Sequence, residues 1–72
     1  MRTLADIERI AQSAWKGPGT ISAAIESTGI RLTSGAHYVD VLLTVGDLTR
    51  EEGSLVRMTL QPALDKLKAL AG

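Results

Sequence analysis

His37 and Asp40 are the first pair to test for chemistry. The only imidazole in the chain stands three residues before a carboxylate. An imidazole oriented by a carboxylate is the working unit of general-base and nucleophilic catalysis. The residue types fit, but the spacing does not. On a strand, residues three apart point to opposite faces. On a helix they would meet, yet the chain has no Cys and no motif that places a Ser beside them. His37 is therefore expected at an exposed or edge position, and no enzyme is expected.

Asp47, Glu51 and Glu52 form the second candidate, a set of carboxylate oxygens suited to a hard cation. The alternating Asp positions and the Gly of a calcium loop are missing. The plainer expectation is Asp47 in a turn and both Glu in a first helical turn, where they complement the helix dipole. Lys16-Gly17-Pro18-Gly19-Thr20 is the third candidate, a superficial phosphate cradle. Its glycine and lysine order is not that of a P-loop, and Pro18 offers no N–H. A helix terminator is the better reading. No metal and no cofactor are expected. Trp15, beside the two glycines, caps the core over the last helical turn or anchors a contact loop.

Composition narrows the function classes further. The 72 residues carry 8 Lys+Arg against 8 Asp+Glu, a formal net charge of zero, and no Cys. That excludes a disulfide framework, a Cys-ligated zinc site and a thiol nucleophile. It also argues against nucleic-acid binding by bulk charge, which needs a clustered cationic excess. Aromatics make up 3% of the chain, so the core must be aliphatic and thin. A domain this small buries only about 60% of its unfolded surface. Self-association or docking on a partner is a common remedy. The longest apolar run, Val41-Leu42-Leu43, is far short of the ~20 residues a membrane helix needs. With no apolar segment behind the first Arg to suggest a signal peptide, a cytoplasmic address without membrane contact is the default.

The elements follow from periodicity. Residues 3–16 read as a helix, with Thr3 as N-cap and Asp6 closing a short capping box. Leu4, Ile7, Ile10, Ala11, Ala14 and Trp15 form one stripe at helical spacing. Residues 49–71 read as a second helix, with Thr49 as N-cap and Glu52 closing its box. Val56, Leu60, Ala63, Leu64, Leu67 and Leu70 face inward there, and Pro62 forces a kink or a break. The rival for this segment is a strand over 54–61. Residues 37–45 are rich in strand formers. A turn at Ser34-Gly35 would pair Ile30 with Val39 and place Ile30, Leu32 and the valines on one face. A further turn at Glu26–Gly29 would pair Ile25 with Ile30 and complete a three-stranded meander. Residues 20–28 fit a short helix equally well, and their alanines tip the balance toward it.

The fold class expected is α+β in a single domain spanning 1–72: an N-terminal helix, a small antiparallel hairpin or three-stranded meander, and a long kinked C-terminal helix. An all-α arrangement of four short helices is the alternative. In the α+β arrangement both long helices cover the apolar face. The other face shows Arg31, Tyr38, Asp40, Leu42 and Thr44. Tyr38, Leu42, Arg31 and Asp40, with Trp15, are the residues expected to meet a partner. The exposed edge strand is a second site, open to a copy of itself or to another chain. Short single-domain chains of this kind often work as inhibitors or adaptors, including those encoded by phages and mobile elements. The expected role is thus a stand-alone interaction module that occupies or bridges a surface of a larger protein, and a homodimer is expected. The competing role is a helix-turn-helix regulator, with 20–28 as its first helix and 34–45 as its recognition helix. Such a helix would expose His37, Asp40 and Thr44 but no Lys or Arg to grip phosphate, so nucleic acid is not the expected partner.

Overall fold

Thr3 starts the first helix as its spacing predicts. Its hydroxyl accepts from the Asp6 N–H at 3.2 Å, and the Asp6 carboxylate accepts from the Thr3 N–H at 3.3 Å. In the computed structural model, which describes residues 2–26 and 29–71, helix α1 spans Leu4–Ala14. Ile7, Ile10 and Ala11 are its buried face. Trp15 ends it in an extended conformation, ahead of the Gly-Pro-Gly stop.

Three strands follow: β1 (Ser22–Glu26), β2 (Gly29–Ser34) and β3 (His37–Leu42). They form one antiparallel sheet in the order β1-β2-β3, so the arrangement is α+β and the all-α alternative is excluded. In place of the helix favoured at 20–28 the chain forms strand β1 over Ser22–Glu26. Alanine's helical preference is small and yields to tertiary context. Here Ile21 and Ala23 lie toward the core, and Glu8 and Gln12 of α1 hydrogen-bond to the strand's backbone. Ile25 pairs with Ile30, the register expected of the meander. The turn expected at Glu26–Gly29 runs through Ser27 and Thr28, which lie outside the described residues.

The second hairpin differs from expectation by two residues. Its loop is Gly35-Ala36, closed by Ser34 opposite His37, so Ile30 pairs with Val41 rather than Val39. Gly35 has φ 62°. A type II′ loop requires a positive φ at its first central position, and Gly takes it without a Cβ clash. A shift of two preserves the faces. Ile30, Leu32, Val39 and Val41 are all buried together. What changes is the neighbour of each exposed side chain, and Arg31 now lies opposite Asp40.

A short helix that the sequence reading missed, α2 (Val45–Thr49), follows β3. The last helix, α3, runs through residues 52–71 as an α-helical start (Glu52–Leu55), a π turn (Val56–Leu60) and an α-helical end (Gln61–Ala71). The strand rival for 54–61 is thereby excluded. The π turn ends at Leu60, with Gln61 between it and Pro62, and the Gln61 N–H reaches back to the Val56 carbonyl. In a regular helix the ring of Pro62 would collide with the carbonyl four residues back. The wider turn gives it room. Thr49 does not cap α3. Its hydroxyl donates to the carbonyls of Val45 and Gly46, and Glu51 is the N-cap without a side-chain bond. Leu55, Leu60, Leu64 and Leu67 are the buried residues of α3, while Leu70, expected inward, is 50% exposed.

Both long helices lie on the same face of the sheet, α1 under β1 and the C-terminal part of α3 chiefly under β3. The core is therefore a single aliphatic layer between helices and sheet. The opposite face of the sheet carries no covering element among the described residues.

Candidate functional site

The uncovered face is where the residues with recognition chemistry collect. The β2–β3 register sets Arg31 opposite Asp40, and Thr33 opposite Tyr38. The Arg31 guanidinium donates to Asp40 through Nε at 2.8 Å and Nη2 at 3.4 Å. It also reaches Glu26 on β1 at 3.2 Å and lies 4.1 Å above the Tyr38 ring. Three side chains, from the two strands that flank β2, thus share one cation. The hydrogen bond from Arg31 is the main cause holding the Asp40 carboxyl below its ordinary range, with the guanidinium charge adding to it. The same bond raises Arg31 further. Asp40 is therefore ionised near neutral pH and has no proton to give as an acid. Leu42 continues the same face and is 70% exposed, and Tyr38 is 52% exposed.

Exposed ion pairs and exposed cation–π contacts are screened by solvent and add little to stability. The cluster therefore does little to hold the fold together. It does fix Arg31 and Tyr38 in place, so a partner would not have to order them.

Four of the five residues expected to meet a partner stand on this face. Trp15 does not join them. It packs against the core on the helical layer, where its indole lies on Gly17 and its Nε1–H donates to the Pro18 carbonyl at 3.3 Å. Ser34 donates to the same carbonyl at 3.4 Å, which fastens the Gly-Pro-Gly loop to the hairpin end. Thr44 also leaves the face. It is the N-cap of α2, and its box with Asp47 was not anticipated.

Asp47 itself is not a turn residue but a buried hub, 7% exposed. Its carboxylate accepts from the Thr44 N–H at 3.0 Å, the Thr44 hydroxyl at 3.1 Å, the Thr59 hydroxyl at 2.8 Å and Arg50 at 3.4 Å. The backbone bond from Thr44 is the largest cause of its lowered pKa, followed by the bond from Thr59. The hub ties the exit of β3 to the π turn and so holds the Leu42 end of the face in place. Glu52 pairs with Arg9 at 3.2 Å, and among the described residues no three acidic or imidazole side chains converge as a metal site would require. His37 and Asp40 occupy strand positions of opposite parity, so they do not form a base-and-orienter unit. The region 34–45 contains β3 and the start of α2, so it holds no recognition helix.

The two edges of the sheet are unequal. On β1, the outward Ala23 N–H donates to Glu8 at 2.8 Å and the Ile21 carbonyl accepts from Gln12 at 3.1 Å. On β3, the closing pair Ser34–His37 makes His37, Val39 and Val41 the residues bonded to β2. The N–H and C=O groups of Tyr38, Asp40 and Leu42 point away from the sheet. Among the described residues none of them has a hydrogen-bond partner.

No protein-family model, curated protein or solved structure matches the chain. Among the described residues no helix is long and apolar enough to cross a membrane.

Proposed function

We propose that this chain is a protein-interaction module of the cytoplasm, an inhibitor or adaptor that occupies or bridges a surface of a larger protein and carries out no catalysis of its own. The supporting observation is the one-sided packing. Both helices cover one face of the sheet, and the other presents exposed Tyr38 and Leu42 around the fixed Arg31–Asp40 pair. An aromatic, an arginine and an aliphatic side chain clustered on a rigid sheet have the composition of a binding hot spot. Neither apolar residue belongs to the core, so each can be removed without unfolding the chain.

The test is affinity capture from the native host with the wild type and with Tyr38→Ala and Leu42→Ala, each first shown to unfold at the wild-type midpoint. A partner retained by the wild type and lost by both variants supports the reading. A partner retained equally by all three removes this face from consideration.

A further inference from the structure

The two edges of this sheet are treated differently by the fold, and the difference points to a ligand. Helix α1 spends two side chains, Glu8 and Gln12, on the outward backbone groups of β1. Unguarded strand edges invite pairing with other chains, and covering them is the usual protection. On β3 the outward groups of Tyr38, Asp40 and Leu42 have no such cover among the described residues. A row of alternating free N–H and C=O groups is complementary to one class of partner, another extended backbone.

The side chains on this edge narrow the partner. Tyr38, Asp40 and Leu42 all stand on the uncovered face. Around Asp40 the face holds two carboxylates, Glu26 and Asp40, against the single cation of Arg31. The local balance is one negative charge. A second copy of this chain is a poor occupant. The two-fold antiparallel pairing that engages all three outward residues sets Tyr38 opposite the copy's Leu42, and Asp40 directly opposite the copy's Asp40. Like charges directly opposite each other on paired strands are unfavourable.

Resting on the interaction-module reading, we infer that the β3 edge accepts an extended segment of another protein as a fourth antiparallel strand. That segment carries Lys or Arg opposite Asp40 and apolar residues two positions to either side, opposite Tyr38 and Leu42. The backbone groups give the attachment, the cation answers the net negative charge of the Glu26–Arg31–Asp40 cluster, and the flanking apolar side chains cover Tyr38 and Leu42.

The test uses the full chain and two displayed libraries of nine-residue segments, random except for a central Lys in one and a central Glu in the other. The Lys library should enrich binders and the Glu library should not. The Asp40→Lys variant, with its fold checked by its amide spectrum, should reverse that preference. In the ¹⁵N-labelled chain a selected peptide should slow amide exchange at Tyr38, Asp40 and Leu42 by at least about tenfold at saturation, since these amides begin unbonded. Val39 and Val41 are already bonded and should change less. Equal enrichment from both libraries, no enrichment at all, or binders that leave the three amides unchanged overturn the inference. So does exchange that slows with chain concentration in the absence of peptide, which assigns the edge to a second copy. If the edge fails while host capture still depends on Tyr38 and Leu42, the interaction reading stands with a partner seated flat on the sheet. If that capture is also insensitive to both residues, the reading falls with it.

Discussion

Removing the Asp47 carboxylate should cost this protein a large share of its stability. The carboxylate is buried and accepts four hydrogen bonds, from the Thr44 N–H, the Thr44 hydroxyl, the Thr59 hydroxyl and Arg50. Bonds to a charged acceptor are worth about 1.5–3 kcal/mol each, although members of one network do not add. The Arg50 bond is long at 3.4 Å and the arginine is partly exposed, so it contributes least. Asp47→Ala leaves the Thr59 hydroxyl and the Thr44 N–H without their acceptor, a loss of about 2–4 kcal/mol. Asp47→Asn keeps one acceptor oxygen and should cost roughly half that. A chain of 72 residues has a total stability of about 4–11 kcal/mol. At about 4–8 °C per kcal/mol for a domain of this size, the alanine variant should melt roughly 8–32 °C lower.

The pH dependence gives a sharper check. The folded-state pKa of Asp47 is lowered, so the unfolded chain takes up the proton first as pH falls. The stabilisation is complete above the ordinary carboxyl value, near about pH 4, and is lost as pH falls through the lower folded value. The gap between wild type and Asp47→Asn, measured by urea unfolding, should therefore be largest near neutrality and shrink below about pH 4. A gap under about 0.5 kcal/mol at neutral pH, or one that stays constant into acid, would refute the assignment of Asp47 as an ionised hub.

Three further substitutions separate local devices from one another. Thr44→Ala removes a working N-cap and should cost about 1 kcal/mol, while Thr49→Ala, at a helix C-terminus, should change unfolding by less than about 0.5 kcal/mol. Gly17→Ala puts a Cβ into the ring of Trp15, so the indole must leave its seat; its fluorescence should shift to the red and stability should fall by about 1–2 kcal/mol. Gly29→Ala places a Cβ on the backbone carbonyl of Val41, which cannot swing aside as a side chain can; it should cost more than about 2 kcal/mol by urea unfolding and raise amide exchange across the β2–β3 pair.

Much of the fold was legible because its signals were local. Thr3 and Asp6 announce α1, and the helical stripe of α3 survives even the π turn. The parts that were misread turn on competition between equal local signals. Thr-x-x-acid spacing occurs at Thr3, Thr44 and Thr49, and only the first two form capping boxes. Thr49 loses because α2 already ends on it, and α2 is held by contacts that no local window contains. The Arg2 N–H donates to the Leu48 carbonyl, and Thr59 reaches Asp47 from twelve residues away. The hairpin register carried its own signal. Of the two candidate loops, only Gly35-Ala36 puts glycine at the first central position of a type II′ turn. That two-residue difference hid the candidate site's main contact, because Arg31 meets Asp40 only in the observed register.

The same register explains how stability and recognition can be separated in so small a protein. Parity sends Ile30, Leu32, Val39 and Val41 to the helices and Arg31, Tyr38, Asp40 and Leu42 to the open side. The first set carries the burial that holds the chain folded, with Leu32 fully enclosed. The second set consists of exposed contacts of small worth to the fold. A substitution on the open face therefore leaves the stability of the fold almost unchanged, and one on the covered face acts on the whole molecule. β3 belongs to both: its alternate side chains anchor it over α3 while its outward backbone stays free. A rigid, anchored strand with an unpaired edge has already met the ordering cost that a binding strand must otherwise meet on association.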